Sequence, residues 1–100
     1  MSEAADINTA IPAYLGYRRA SHPQTDWPAV VGALGIARAQ AVEIPMLRIL
    51  GALGDMQPDW RTLGLWKGSE WAVRALRKAH PGIDDRAAKA LVWAFSCNNR

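Results

Sequence analysis

Few residues in this sequence have the types and spacing that metal or thiol chemistry requires. His22 and His80 are the only histidines, and Cys97 is the only cysteine. Protein metal sites gather several histidine, cysteine or carboxylate ligands at characteristic spacings, and these three residues lie far apart in the chain. The more ordinary interpretation places His22 in a turn, His80 at a helix end and Cys97 as an inert buried thiol. We therefore expect no metal and no cofactor.

The adjacent carboxylates Asp84 and Asp85 are the nearest approach to an acid–base pair. Neighbouring residues on a helix do not face each other, whereas acidic side chains are favoured at a helix start, so a capping role is the better interpretation. Ser69 and Ser96 lack the glycine-flanked turn that exposes a nucleophilic serine. The sequence is therefore not expected to encode an enzyme.

Tryptophans and cationic residues offer the chemistry of binding instead. The stretch DWRTLGLWKGSEW, residues 59–71, holds three tryptophans, and a basic residue directly follows two of them. Trp and Arg are the types that most often anchor protein interfaces, and a cation beside an aromatic ring can grip an acidic partner. Trp60 and Trp66 are expected to close the core from a short helix and a loop, and Trp71 is the surface candidate. Trp27, at a separate helix start, is expected in the core.

Charge is distributed unevenly along the chain. Residues 1–60 contain four basic and six acidic side chains, whereas residues 61–100 contain eight basic and three acidic ones. The two parts therefore carry −2 and +5, which sum to the formal net charge of +3. A basic C-terminal part favours an acidic partner, either a nucleic acid or an acidic protein surface.

Length and composition predict one globular domain over residues 1–100, with a flexible N-terminus over residues 1–10. A chain of 100 residues that is 50% hydrophobic and 21% charged can bury a core without disulfides. The single cysteine favours a reducing compartment, the first residues do not resemble a secretory signal, and no apolar stretch is long enough to span a bilayer. We therefore expect a cytoplasmic protein that makes no use of the membrane.

Apolar residues recur at helical rather than strand spacing, which predicts an all-α fold. Several of the predicted helices are too short for a long up-and-down bundle, so we expect a compact bundle of five or six short helices with orthogonal packing. Ser69 and Asp84 are the expected N-caps of the last two helices. The predicted helices cover approximately residues 12–20, 27–40, 42–53, 58–63, 69–80 and 84–98.

Two glycines and a proline inside these predicted helices need an explanation. Gly32 and Gly35 lie in the second predicted helix, where glycine costs about 1 kcal/mol relative to alanine. Close approach of another helix would justify that cost, so tight packing is the expected reason for both. Pro45 must either start the third helix or kink it, because its ring removes a hydrogen bond.

A helical wheel of the last two predicted helices separates an apolar face from a basic one. The apolar faces include Leu76 and Leu91, which are expected in the core. Basic residues gather elsewhere on each helix, with a tryptophan beside them. Two interpretations stay open: a contact surface, or tryptophans that complete a broad core while the cations cover their edges. The candidate partner-binding face consists of Trp71, Arg74, Arg77, Lys78, Arg86, Lys89 and Trp93.

The sequence therefore predicts a small non-catalytic binding protein. We expect it to dock on a larger protein or complex with an acidic surface and to inhibit or bridge it, as small inhibitors, immunity proteins, antitoxins and phage-encoded blockers do. The alternative is a nucleic-acid-binding protein that uses the helix pair of residues 74–95, although Asp84 and Asp85 would then meet phosphates. Self-association into a homo-oligomer through exposed tryptophan faces is also open. No motif in the chain identifies a known family.

Overall fold

The chain folds into five α-helices, which a computed structural model describes over residues 2–100. No strand occurs within these residues, so the predicted all-α fold, a small bundle of five or six helices, is confirmed. Met1, part of the segment expected to be flexible, lies outside the described residues. The helices are α1 (Glu3–Leu15), α2 (Trp27–Leu34), α3 (Ile36–Gly54), α4 (Trp60–Ala79) and α5 (Asp85–Asn98).

The first helix begins nine residues earlier than the sequence prediction placed it. Ser2 is its N-cap and accepts a hydrogen bond from the amide of Ala5 at 3.1 Å. Ile7 and Ile11 are buried in the core. The part of the expected flexible N-terminus from residue 3 onwards is therefore helical. Packing of α1 against α2, α3 and α5 offsets the entropy cost of ordering a chain end.

A glycine separates α2 from α3, at a different place from the boundary predicted near residue 41. Gly35 has φ 80° and ψ 157°, a backbone conformation that residues with a β-carbon rarely adopt. The chain then continues as one helix of 19 residues through Pro45, which loses a hydrogen bond without ending the helix. Outside their own helices, no described atom lies within 4 Å of a β-carbon built on Gly32 or Gly35. The predicted close approach of another helix at these glycines is therefore wrong.

The fourth and fifth predicted helices are two parts of α4, joined at a kink. Gly64 has φ 75° and ψ 177° at the junction. Ser69, the predicted N-cap, instead lies buried inside the helix, and its hydroxyl donates a hydrogen bond to the carbonyl oxygen of Leu65 at 2.7 Å. Trp66, predicted in a loop and in the core, is helical and 59% exposed.

Trp60 packs where a glycine leaves room for its ring. The ring stacks on Phe95 with 5.8 Å between centroids, and Trp27 and Trp60 both pack against the core as predicted. A β-carbon on Gly68 would lie 2.7 Å from the Trp60 ring, which is too close for any real contact. Gly68 therefore permits the ring to pack against α4.

Leu76 of α4 and Leu91 of α5 lie in the hydrophobic core. They are 1% and 0% exposed, so the wheel placed both correctly. α5 is buried over most of its circumference, because it packs against both α1 and α4. The core faces of the two helices are therefore fixed, and their remaining sides point outward.

One ion pair fastens α1 to α3. Asp6 is only 7% exposed and accepts hydrogen bonds from Nε and Nη2 of Arg38. The hydrogen bond from Arg38 lowers the pKa of Asp6 below its usual range, and the same bond raises the pKa of Arg38. The pair bridges 32 residues of sequence, so no local pattern could have predicted it.

Candidate partner-binding groove

α4 and α5 pack together and enclose a groove of about 600 Å³ on their outer side. Its lining residues recur three or four positions apart on each helix, which places them on one face. Tyr17, from the segment after α1, completes the lining. We call this surface the α4–α5 groove. Its helical residues are Trp66, Glu70, Val73, Arg74 and Arg77 from α4, and Asp85, Ala88, Lys89, Val92 and Trp93 from α5.

The groove has an apolar floor. Val73, Ala88 and Val92 line it and are themselves buried. They belong to the apolar stripes through which α4 and α5 join the core. The floor is therefore held by core packing, and the longer side chains stand around it.

Two tryptophans of different exposure stand in the groove wall. Trp93 is half-buried and packs against Tyr17, with ring centroids 5.7 Å apart and an angle of 51° between the planes. The Arg18 guanidinium lies 5.9 Å from the centroid of the Tyr17 ring. Trp66 has no such ring partner within residues 2–100 and is 59% exposed. Trp93 is thus partly in the core and partly on the surface, which combines the two roles that the sequence left open. Trp66 is a surface ring.

Arg77 is a structural tether rather than a free cation. Its Nε and Nη2 donate hydrogen bonds to the carbonyl oxygen of Ile83 at 3.1 and 2.8 Å, and its Nη2 lies 3.2 Å from Oδ1 of Asp85. Its side chain is 37% exposed. Arg77, which the helical wheel assigns to the basic face, is therefore only partly exposed, because its guanidinium closes the turn between the two helices.

Asn8 of α1 holds the same turn from the other side. Its side-chain amide donates a hydrogen bond to the carbonyl oxygen of Gly82 at 2.8 Å, and its Oδ1 accepts one from the amide of Asp84 at 3.0 Å. Asp84 in turn caps α5 by accepting from the amide of Ala87 at 2.8 Å, which confirms the predicted N-cap. The turn that joins the two groove helices is thus held by Arg77 of α4 and by Asn8 of α1.

The structure divides the seven residues of the predicted face into two sets. Four of them line the α4–α5 groove: Arg74, Arg77, Lys89 and Trp93. Trp71, Lys78 and Arg86 are exposed but lie outside the lining. A helix turns about 100° per residue, so Trp71 points well away from Trp66, five positions earlier.

Sequence reasoning missed Trp66 and Tyr17 as groove residues. Trp66 lies four positions before Glu70 and eight before Arg74, so a wheel extended by one more turn would have found it. Gly64 and Gly68 suggested a loop there instead. No local signal marks Tyr17, because it reaches the groove from a different part of the chain.

The charges of the groove are partly satisfied. Arg77 pairs with Asp85, whereas Arg74 and Lys89 form no ion pair within residues 2–100. Glu70 also lies in the lining, four residues before Arg74, where such a pair is weakly favourable. Arg74 and Lys89 therefore remain available to a ligand or partner, beside two aromatic rings.

The lining side chains offer apolar contact, ring stacking and charge pairing. Within residues 2–100, no group of three histidine, cysteine or carboxylate side chains is placed to hold a metal ion. In the same part of the chain, no helix combines the length and apolar character needed to cross a bilayer. Comparison of the chain with protein-family models, with curated proteins and with solved structures found no match in any of the three. Function must therefore be argued from the groove itself.

Proposed function

We propose that this protein is a small, non-catalytic binding protein that docks on a larger protein with an acidic surface and inhibits or bridges it. The α4–α5 groove is the docking site. The observation that supports this most is the placing of an exposed tryptophan, Trp66, in one groove with Trp93 and the unpaired cations Arg74 and Lys89. Trp, Tyr and Arg, three residue types of this groove, are those most enriched among the anchors of protein interfaces.

The exposure of Trp66 sets the scale of the binding energy. A tryptophan ring offers roughly 150–250 Å² for burial, so covering the exposed part would contribute about 3 kcal/mol at 25 cal/mol per Å². An isolated exposed ring is common on protein surfaces. A ring beside an apolar floor and two unpaired cations is better explained as an anchor.

The chemistry of the groove indicates what the partner presents. The apolar floor and the two rings favour an apolar or aromatic side chain, and Arg74 and Lys89 favour carboxylates beside it. The whole C-terminal part, residues 61–100, carries +5. Lys78 and Arg86 belong to that part and would attract an acidic surface from a distance without entering the groove.

The alternative, a nucleic-acid-binding protein that inserts α5 into the major groove, has weaker support. Eight residues of α5 are buried, so little of the helix is free to contact base edges. Asp85 lies in its first turn, where it would repel the phosphate backbone. The basic charge is the one feature that favours this alternative.

Quantitative capture from a lysate of the native host tests the proposal with matched variants. Trp66→Ala should reduce recovery of the partner, whereas Trp71→Ala, an exposed tryptophan of the same helix outside the groove, should not. Arg74→Glu/Lys89→Glu should likewise reduce recovery more than Lys78→Glu/Arg86→Glu, which changes the net charge equally. Equal losses within each pair of variants would contradict docking through the groove.

A further inference from the structure

A second exposed apolar surface lies on α3, away from the α4–α5 groove. Ile36, Ile44 and Leu47 are 63%, 61% and 44% exposed. The other large exposed apolar residues within the described chain all belong to α4. Exposed aliphatic side chains that share one helix face are a feature of interaction sites.

The outward face of α3 can be numbered as heptads, with one large aliphatic pair at its centre. Ile44 and Leu47 occupy its central a and d positions, and an aliphatic pair of this kind, with isoleucine at a and leucine at d, favours two parallel strands of a coiled coil. Gln40 is a polar residue at the d position one heptad earlier. All six a and d positions are exposed: Ala37, Gln40, Ile44, Leu47, Gly51 and Gly54.

The charges beside this stripe are complementary between two copies. Glu43 and Arg48 occupy the g and e positions on its opposite edges, both are exposed, and neither forms an ion pair within residues 2–100. In a parallel pair of helices, each g residue faces the e residue five positions later in the other copy. Glu43 would then face Arg48 of the second copy on both sides. An antiparallel pair would instead bring like charges together.

We propose that α3 is a self-association surface, on which the α3 helix of a second copy packs in parallel to form a homodimer. A β-carbon on Gly51 or Gly54 would meet nothing within 4 Å, so a second helix can approach closely at that end. One short helix pair is at the small end of specific interfaces, so the dimer dissociates at concentrations on the order of micromolar. No residue of α3 lines the α4–α5 groove, so this inference does not depend on the proposed function.

Sedimentation velocity over a range of concentrations tests the dimer. The full chain should shift from monomer to dimer, and Leu47→Glu should raise the dissociation constant at least tenfold while the helical circular dichroism stays unchanged. Leu65→Glu changes an exposed leucine of α4 in the same way and should leave the dissociation constant within about twofold. A wild-type chain that remains monomeric up to roughly millimolar concentration, or equal effects of the two variants, would overturn the proposal.

Charge reversal tests the parallel arrangement without touching apolar residues. Glu43→Arg and Arg48→Glu should each weaken the dimer at least threefold, because each creates two repulsive contacts, and the double variant should restore it. In an antiparallel dimer the single variants would have no such effect. Oxidation of Gln40→Cys in a Cys97→Ser background should cross-link the parallel dimer. In an antiparallel dimer the two copies of residue 40 would lie roughly 16 Å apart, which is too far for a disulfide. If the chain dimerises but shows neither the charge-reversal effect nor the cross-link, the parallel arrangement is contradicted.

Discussion

Arg77 binds the carbonyl oxygen of Ile83 through both Nε and Nη2, at 3.1 and 2.8 Å. Ile83 is buried and immediately precedes the N-cap of α5. The guanidinium therefore fixes the end of α4 to the start of α5, and with them the two walls of the groove. Arg77, which the helical wheel identifies as a surface cation, thus stabilises the fold by binding the turn before α5.

Arg77→Ala should lower the free energy of unfolding by about 1–2 kcal/mol, because a buried carbonyl loses a charged donor. Arg77→Lys should recover only part of this loss, since an ammonium group on a shorter, flexible side chain cannot reproduce the two hydrogen bonds that converge on one oxygen. Urea denaturation measures both changes. Lys78→Ala, at an exposed neighbour, is the control and should stay within roughly 0.5 kcal/mol; an equal loss there would show that Arg77 is not a tether.

Leu76→Ala and Leu91→Ala should each lower the free energy of unfolding by about 2–5 kcal/mol. Both side chains are almost completely buried, and truncation leaves a cavity in the core. The same denaturation experiment applies, with Arg86→Ala as the exposed reference. A loss below about 1 kcal/mol at either leucine would mean that the helix contact is loosely packed.

Gly68→Ala should destabilise the protein by about 1–3 kcal/mol even though alanine is the better helix former. Its β-carbon would lie 2.7 Å from the Trp60 ring, so the ring or the helix must move. Gly32→Ala is the matched control, because it lies in a helix with open space around it. Alanine there should raise the thermal midpoint through helix propensity alone. If both variants were more stable than the wild type, Trp60 would not pack against Gly68.

The Asp6–Arg38 pair should make stability depend on pH in the acid range. The hydrogen bond from Arg38 lowers the pKa of Asp6 in the folded chain, whereas the unfolded chain has a value near the ordinary 3.9. Because the folded pKa is the lower one, this stabilisation is fully present above about pH 4 and is lost as the pH falls through the folded pKa. The Asp6→Asn side chain cannot ionise. The difference in unfolding free energy between wild type and variant should therefore shrink as the pH falls from about 4 through the folded pKa of Asp6. A difference that stays constant from pH 7 to pH 2 would contradict the pair's role.

Local sequence signals were sufficient where an element depends on its own residues. The start of α5 follows from the Asp84 cap, and the buried faces of α4 and α5 follow from the spacing of apolar residues around Leu76 and Leu91. These signals depend only on neighbours in the chain. Four of the seven residues of the predicted face line the groove in the structure.

The sequence predictions failed at several helix boundaries and at residues whose position depends on distant contacts. Gly35 ended a helix and Pro45 did not, although propensity ranks proline as the stronger breaker. The early start of α1 depends on packing against three other helices, and Trp66 became a groove residue because α4 continues past the kink at Gly64. Single-sequence patterns do not report such long-range packing.

The dissociation constant of the captured partner for Trp66→Ala, compared with Trp71→Ala, tests docking through the groove most directly. Isothermal titration calorimetry at physiological salt should show a loss of about 2 kcal/mol or more, roughly thirtyfold, for Trp66→Ala, as expected of an anchor residue. Trp71→Ala should stay within about threefold of the wild type. A larger loss of affinity for Trp71→Ala than for Trp66→Ala would contradict docking through the groove. Tight binding to generic duplex DNA with a steep salt dependence would favour the nucleic-acid alternative instead.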